Sequence, residues 1–246
     1  MAETILSTAN LTKTYGSIKA VNDVSMAIHR GAIVGLVGKN GAGKTTLIRI
    51  LTGLVKPTSG SFEILPGCKR EGADIGAIIE HPSIYNNLSG MDNLIAQSKL
   101  LGLPVDQAHL TETLNLVDLD PSSKQKAKNY SLGMKQRLGI AMTLVGKPQL
   151  LILDEPMNGL DPEGIQYLRQ ILVDLCHKHG VTIIISSHIL SELGKFATEY
   201  YIMNKGRMIR HVAAEELKED ALEDYFMRVI NEDNNPSPAI PSGGAE

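Results

Sequence analysis

The stretch Gly38-Lys39-Asn40-Gly41-Ala42-Gly43-Lys44-Thr45-Thr46 follows the apolar run Ala32-Ile33-Val34-Gly35-Leu36-Val37 and leads into Leu47-Ile48-Arg49-Ile50-Leu51. It fits G-x-x-x-x-G-K-[ST], set between a strand-like and a helix-like segment. Glycines let the backbone wrap so that its N–H groups converge on an anion, and the helix start adds partial positive charge. Lys44 then supplies a point charge for the β- and γ-phosphates, and Thr45 a hydroxyl for Mg²⁺. A plain glycine-rich turn accounts for the glycines but not for a Gly-Lys-Thr triplet where a helix begins. The stretch therefore reads as a triphosphate cradle.

Upstream, residues 5–28 alternate apolar and polar positions, clearest at Val24, Met26 and Ile28, and predict antiparallel strands turning near Tyr15-Gly16. Tyr15 offers a ring for stacking on an adenine face, and reads equally as a surface tyrosine at a turn. Downstream, Lys56-Pro57-Thr58-Ser59-Gly60 ends the first helix, and a short strand is expected from Ser61 to Leu65. The run Ile75-Gly76-Ala77-Ile78-Ile79 has the unbroken apolar character of a buried parallel strand and stops at Glu80-His81-Pro82.

Residues 83–148 turn helical. Ser89 with Asp92 forms a capping-box pattern, Asp106 opens a second apolar-periodic segment, and Ser131 opens a third through Met134, Leu138, Ala141, Met142 and Val145. Three successive helices between strands predict an inserted helical lobe. Strand character returns at Leu150-Leu151-Ile152-Leu153, and a long helix is expected over 161–179. Val181-Thr182-Ile183-Ile184-Ile185 predicts the next strand, and two more flank Asn204-Lys205-Gly206 as a tight hairpin. This alternation argues for an α/β fold with a mostly parallel sheet. One domain is expected over residues 1–230, with 231–246 too polar and proline-rich to pack and read as a disordered tail.

The 246 residues suffice for a full core, and Lys+Arg 24 against Asp+Glu 27 gives a net charge of -3, not the basic field that nucleic-acid binding uses. No nucleic-acid partner is expected. Cys68 and Cys176 are too few for a disulfide framework or a four-thiolate zinc site and fit a reducing cytosol. Met1-Ala2-Glu3-Thr4 lacks signal-peptide character and no apolar run reaches the length of a membrane span, so any membrane association is expected through a partner.

Four apolar residues followed by Asp154-Glu155 put two carboxylates at the C-terminal end of a buried strand, where open α/β sheets bind ligands. Asp154 suits Mg²⁺, directly or through water, and Glu155 suits a general base that polarises the attacking water. A strand ending in Asp-Glu-Pro is also a common turn; the phosphate loop decides between the two. His188 follows Ser186-Ser187 at the end of another strand, on the same sheet edge, where an imidazole can bond a γ-phosphate oxygen and orient water. The other histidines show no metal-ligand spacing. Asn129-Tyr130-Ser131-Leu132-Gly133 reads as a capped helix start able to receive an anion, or simply as a capped helix start.

Taken in order, the phosphate loop, Ser131-Leu132-Gly133-Met134-Lys135-Gln136-Arg137, Leu153-Asp154-Glu155-Pro156, Asn158-Gly159-Leu160-Asp161 and Ser187-His188 resemble the nucleotide-binding subunit of an ABC transporter over roughly residues 3–215. The resemblance implies a P-loop NTPase core with a mostly parallel sheet, an N-terminal antiparallel part and an inserted helical subdomain. It implies ATP and Mg²⁺ as cofactors, with Thr45, Asp154 and Glu80 toward the metal, and Glu155, His188 and Lys44 in catalysis. Tyr15 takes the adenine-stacking place, Asp161 lies in the loop between two sites, and His188 is the switch histidine. Two copies would meet head to tail, Ser131 and Gly133 of one closing over ATP held by Gly38, Lys39, Asn40, Gly41, Ala42, Gly43, Lys44, Thr45 and Thr46 of the other. Separate membrane permease subunits are the implied partners, placing the chain peripherally at the cytoplasmic face of the membrane.

Two departures stand out. Leu132 and Met134 occupy signature positions where Gly and Gln are commonest, leaving Ser131, Gly133 and backbone as the contacts in trans. Glu80 stands where most members carry glutamine; a carboxylate can ligate Mg²⁺ but adds charge and changes the hydrogen bonds on offer. The segment Ile75-Gly76-Ala77-Ile78-Ile79-Glu80-His81-Pro82, with Tyr85-Asn86-Asn87-Leu88, is similar to the branch tied to bacitracin and lantibiotic self-protection. The expected function is therefore an ATPase powering export of, or protection against, a peptide antibiotic. A soluble ABC-type ATPase acting on ribosomes or DNA is the alternative, disfavoured by the net charge and by the lack of a second cassette on a charged linker, a long coiled-coil insertion or zinc-binding cysteines. A small-molecule kinase leaves the Ser131 segment and His188 unexplained.

Overall fold

The computed structural model describes residues 3–64, 74–217 and 221–235. The first hairpin pairs β1 (Thr4–Tyr15) with β2 (Ile18–His29) around the expected turn, and β4 (Ser59–Ile64) joins the far edge of β1 to make an antiparallel sheet in the order β2-β1-β4. The second sheet contains β3 (Ile33–Val37), β5 (Ile75–Ile78), β6 (Leu150–Asp154), β7 (Thr182–Ser187), β8 (Glu199–Asn204) and β9 (Arg207–Ala213). Its order is β5-β6-β7-β3-β8-β9, parallel throughout except for the final β8–β9 hairpin.

The unbroken apolar character of the central strands follows from burial on both faces. In β3, Val34 and Leu36 join one core with the antiparallel sheet and helix α1 (Lys44–Leu51), whereas Ile33 and Val37 join the other. Leu150 and Ile152 of β6 split from Leu151 and Leu153 in the same way. Two hydrophobic layers thus clamp one sheet, and each alternation along a strand sends side chains to both.

The second layer holds the helical lobe: α2 (Gly90–Leu100), α3 (Gln107–Leu116) and α4 (Leu132–Leu144). All three begin where the caps predict. The Ser89 side chain accepts from Asp92 N–H, Asp106 from Ala108 and His109, and Ser131 from Met134. Helix α5 (Pro162–His179) is capped by Asp161 and ends on Gly180 in the left-handed conformation. A short turn of helix, α6 (Leu190–Leu193), follows β7.

One difference from the sequence expectation concerns the C-terminal end. Helix α7 (Leu222–Asn234) continues through residues 231–234, where a disordered tail was expected to begin. Leu222, Phe226, Val229 and Ile230 recur at helical spacing and bury one face, which outweighs the polar composition of the last turn. Residues 236–246 of that expected tail, Leu65 and Cys68 lie outside the described residues. Cys176 is buried, and its Sγ reaches the Gly31 carbonyl oxygen at 3.2 Å. Among the described residues no helix is long and apolar enough to cross a membrane.

Candidate functional site

Strands β3, β6 and β7 are neighbours, so whatever follows their C-terminal ends must meet on one edge. Val37 pairs with Ser187 and Asp154 with Ser186, which sets Gly38, Glu155 and His188 in adjoining loops. The loop after β3 ends at Gly43, the N-cap of α1, with φ 108 and no side-chain cap bond. A Cβ there would lie 2.3 Å from the Ala20 carbonyl oxygen, so only glycine lets the loop press against β2. The first N–H groups of α1 receive no capping side chain and point where an anion is stabilised.

Lys44 is 6% exposed, its Nζ donating to the Gly38 carbonyl oxygen at 2.6 Å and standing 3.6 Å from Glu155 Oε1. The other carboxylate oxygen of Glu155 is 2.7 Å from His188 Nδ1 and receives the His188 backbone N–H at 3.3 Å. With the carboxylate ionised, Nδ1 is the donor, and Nε2 of the half-exposed ring is left for a ligand or water. Glu155 itself sits in the left-handed region at φ 50. Its backbone N–H is fixed by both the Ser186 carbonyl and hydroxyl oxygens. The Ser186 hydroxyl in turn donates to Asp154 Oδ1 at 2.6 Å. Ser186 thus ties the two carboxylate positions together from a neighbouring strand, a role the sequence did not single out.

These groups surround a cleft of about 550 Å³ lined by Asn40, Gly41, Ala42, Gly43, Lys44, Thr45 and Thr46 on its floor and by Glu155 and His188 on one side. Gly38, Lys39 and Asp154 are not part of the lining: Gly38 lies beneath Lys44, and Asp154 is 2% exposed behind Glu155. Lining residues that sequence reasoning missed are Ile18, Lys19, Ala20, Asn158, Lys205 and Gly206. Asn158 follows Glu155 by three residues, in a quoted segment not assigned to the cleft; the others lie far from both motifs in the chain, and of them only the hairpin turn was legible.

Four expected site residues stand elsewhere. Tyr15 is half-exposed at the end of β1, with Lys13 Nζ 5.0 Å from its ring centroid; it pairs with Ile18 of the cleft without lining it. Glu80 is exposed, in the left-handed region at φ 61, and forms a 2.7 Å ion pair with Arg49 of α1. Ser131 and Gly133 line a second cleft of about 530 Å³, with Gly159, Leu160 and Asp161 at the start of α5. A Cβ on Gly133 would meet nothing closer than 4.0 Å, so the fold itself does not demand glycine there.

The geometry can hold a polyphosphate on backbone N–H groups and Lys44, and present a carboxylate–imidazole pair beside its end. Comparison with known proteins agrees. The ABC transporter family profile matches residues 21–158. The chain is 44% identical over 220 residues to the bacitracin transport ATP-binding protein BcrA of Bacillus licheniformis, covering 87% of this chain and 72% of the relative. It is 47% identical over 207 residues to the lantibiotic transport ATP-binding protein SrtF of Streptococcus pyogenes, covering 83% and 89%. Among solved structures, an ATP-binding subunit of an ABC transporter superposes with a TM-score of 0.80 at 27% identity, over 92% of this chain and 99% of the other. With the phosphate loop, the strand-end carboxylates and the helical lobe all in their places, the chain belongs to the ABC transporter family, as an ATP-binding and ATP-hydrolysing subunit.

Proposed function

We propose that this ATPase subunit powers separate membrane permease subunits that export, or protect against, a peptide antibiotic of the bacitracin or lantibiotic type. The named relatives at 44% and 47% identity support the substrate class. The chain would then sit at the cytoplasmic face of the membrane, held by the permease, with residues 83–148 as a helical subdomain within one ATPase domain.

The observation that carries the mechanism is the separation of two clefts in one chain. The cleft around Lys44 contains none of residues 131–137, and the cleft around Ser131 contains none of the phosphate loop. Each is half of a site, and a head-to-tail pair of subunits would join them, Ser131 and Gly133 of one copy closing over ATP on the other. The open space around Gly133 supports this, since it leaves room for a ligand from outside the chain.

Mg²⁺ fits the oxygen chemistry present. The Thr45 hydroxyl and the Asp154 carboxylate are hard donors, and among the described residues there is no cluster of three or more His, Cys, Asp or Glu that would bind a metal unaided. Thr45 on the cleft floor and Asp154 behind Glu155 would hold the ion with the phosphates, where it would neutralise phosphate charge; Glu80, paired with Arg49 outside the cleft, would join them only on leaving that partner. Glu155 would draw a proton from the attacking water while His188 holds its carboxylate.

The test mixes two inactive variants, Lys44→Ala and Ser131→Arg, at equal concentration. A head-to-tail pair regains one competent site per mixed dimer, so ATP turnover returns to a measurable fraction of the wild type. No recovery would overturn the shared site. Protection of cells against bacitracin or a lantibiotic, lost in Glu155→Gln, tests the substrate class separately.

A further inference from the structure

Lys205 and Gly206 join β8 to β9, both with positive φ, 47 and 80. Their turn is wedged against the phosphate loop. Gly206 N–H donates to the Ala42 carbonyl oxygen at 2.9 Å, and the Gly206 carbonyl accepts from Asn22 N–H at 2.8 Å. A Cβ on Gly206 would lie 2.7 Å from the Lys19 carbonyl oxygen. The turn is therefore fixed to both walls that approach the loop, and Lys205 lines the cleft with Lys19 and residues 40–46.

The strand order says which part of a nucleotide it faces. Strand β8 borders β3 on one side, and β7, with β6 beyond it, lies on the other. Glu155 and His188 end β6 and β7, so the γ-phosphate belongs on that side. Lys205 leaves β8 on the opposite side, near Lys19 and Ala20 of β2, which leaves that side for the part of the nucleotide away from the γ-phosphate.

The ammonium is held but not neutralised. Its Nζ donates to Asn234 Oδ1 at 2.8 Å, a neutral acceptor near the end of α7. Among the described residues no carboxylate pairs with it. The adjacent Asp233 is committed to Arg207 at 2.7 Å and to the Asn204 amide at 2.8 Å. An ammonium has three donors, so two remain for a ligand.

The geometry points to Lys205 as a second nucleotide-binding cation, contacting the α-phosphate of a nucleoside di- or triphosphate, with Asn234 of the C-terminal helix as its positioning residue. This rests on the reading of the Lys44 cleft as the nucleotide site. Because ATP and ADP share the α-phosphate, the contact strengthens both alike, unlike groups that act on the γ-phosphate.

Calorimetric titration of the full chain with ADP and with ATP tests it. Lys205→Ala is expected to weaken both nucleotides by the same factor, about tenfold, the scale of one charged hydrogen bond. Lys205→Arg keeps most of the affinity. Asn234→Ala weakens binding less than Lys205→Ala, whereas Asn234→Asp, which sets a carboxylate against the ammonium, weakens it as much. A purely structural role for the turn predicts no such order between the two Asn234 variants. Melting without nucleotide checks that each variant folds, and Lys205→Gln, which removes the charge but keeps a polar side chain, replaces the alanine variant if that one does not. Wild-type affinity for ADP in both Lys205→Ala and Lys205→Gln, or loss confined to ATP, overturns the inference alone. Wild-type protein that binds neither nucleotide overturns the cleft assignment beneath it.

Discussion

The Glu155 carboxylate is gripped at both ends: His188 Nδ1 lies 2.7 Å from one oxygen and Lys44 Nζ 3.6 Å from the other. A base held this way loses little orientation freedom when water arrives, and its removal should cost rate more than binding. Glu155→Gln is expected to lower ATP turnover by about 10²–10⁴-fold, the range for one positioned general base. ATP affinity should stay within a few-fold of the wild type. His188→Ala should act through the same carboxylate, so the double variant should be no slower than the slower single one. Phosphate release and nucleotide titration on the three variants decide it. Turnover in Glu155→Gln within tenfold of the wild type removes the assignment.

Arg49 and Glu80 make a different kind of pair. Their side chains are 39% and 58% exposed and 2.7 Å apart, so solvent screens most of the attraction. Arg49→Ala is expected to cost less than about 1 kcal/mol in urea unfolding. Its effect should fall on Glu80 instead, which Arg49 holds from the end of the helix that begins at Lys44. Arg49→Ala and Glu80→Gln should both change the Mg²⁺ dependence of turnover while leaving the unfolding midpoint nearly fixed. Unchanged Mg²⁺ dependence in both would detach Glu80 from the metal.

This pair also marks where reading the sequence stops. Strands β3, β6 and β7 were legible because they are buried on both faces and so carry unbroken apolar runs. The helix starts at Ser89, Asp106 and Ser131 were legible because each of these side chains bonds a residue two or three positions on. Placing Glu155 and His188 on one edge needed only the rule that parallel strands end together. Arg49 with Glu80, Ser186 with Asp154 and Lys205 with Asn234 bridge 31, 32 and 29 positions, and no local pattern encodes such contacts. The left-handed backbone of Glu80 and Glu155 is likewise imposed by the surrounding fold, not by the side chain. Helix α7 is a separate case: its apolar spacing was present but masked by the polar composition around it.

Tyr201 gives the stability a dependence on alkaline pH. Burial pushes its hydroxyl up to about 12, the Glu199 charge adds to this, and the Ala27 N–H donating to the phenol oxygen at 3.4 Å partly offsets it. The hydroxyl also donates to the Ala27 carbonyl oxygen at 2.5 Å, and the ring stacks on His211 at 4.2 Å. A folded-state value raised above the ordinary value near 10 means that the protonated form is favoured by folding. Its contribution is therefore complete below about pH 10 and is lost as pH rises toward about 12. Tyr201→Phe should cost about 1 kcal/mol at neutral pH through the lost hydrogen bond. Between pH 10 and 12 the wild type should lose about 2–3 kcal/mol more than the variant, the linkage value of such a shift. Parallel unfolding free energies across that window would refute it.

Two glycines of α4 should separate folding from function. Gly139 faces the loop after β5, and a Cβ there would sit 2.3 Å from Pro82 Cβ and 3.3 Å from Ile78 Cδ1. Alanine gains up to about 1 kcal/mol in helix propensity, but overpacking against a rigid proline costs about 1–3 kcal/mol. Gly139→Ala should therefore be less stable by about 1–2 kcal/mol and disturb the loop carrying Glu80. Gly133 stands in open space at the start of the same helix, where its contact with nucleotide is expected only from the second subunit. Gly133→Ala should be as stable as the wild type or up to about 1 kcal/mol more so, with ADP binding to the single chain unchanged. Its ATP turnover should still fall at least about tenfold, equivalent to 1.4 kcal/mol of barrier, because the added methyl meets the partner's nucleotide. Equal turnover in Gly133→Ala and the wild type would show that nothing closes over that helix start.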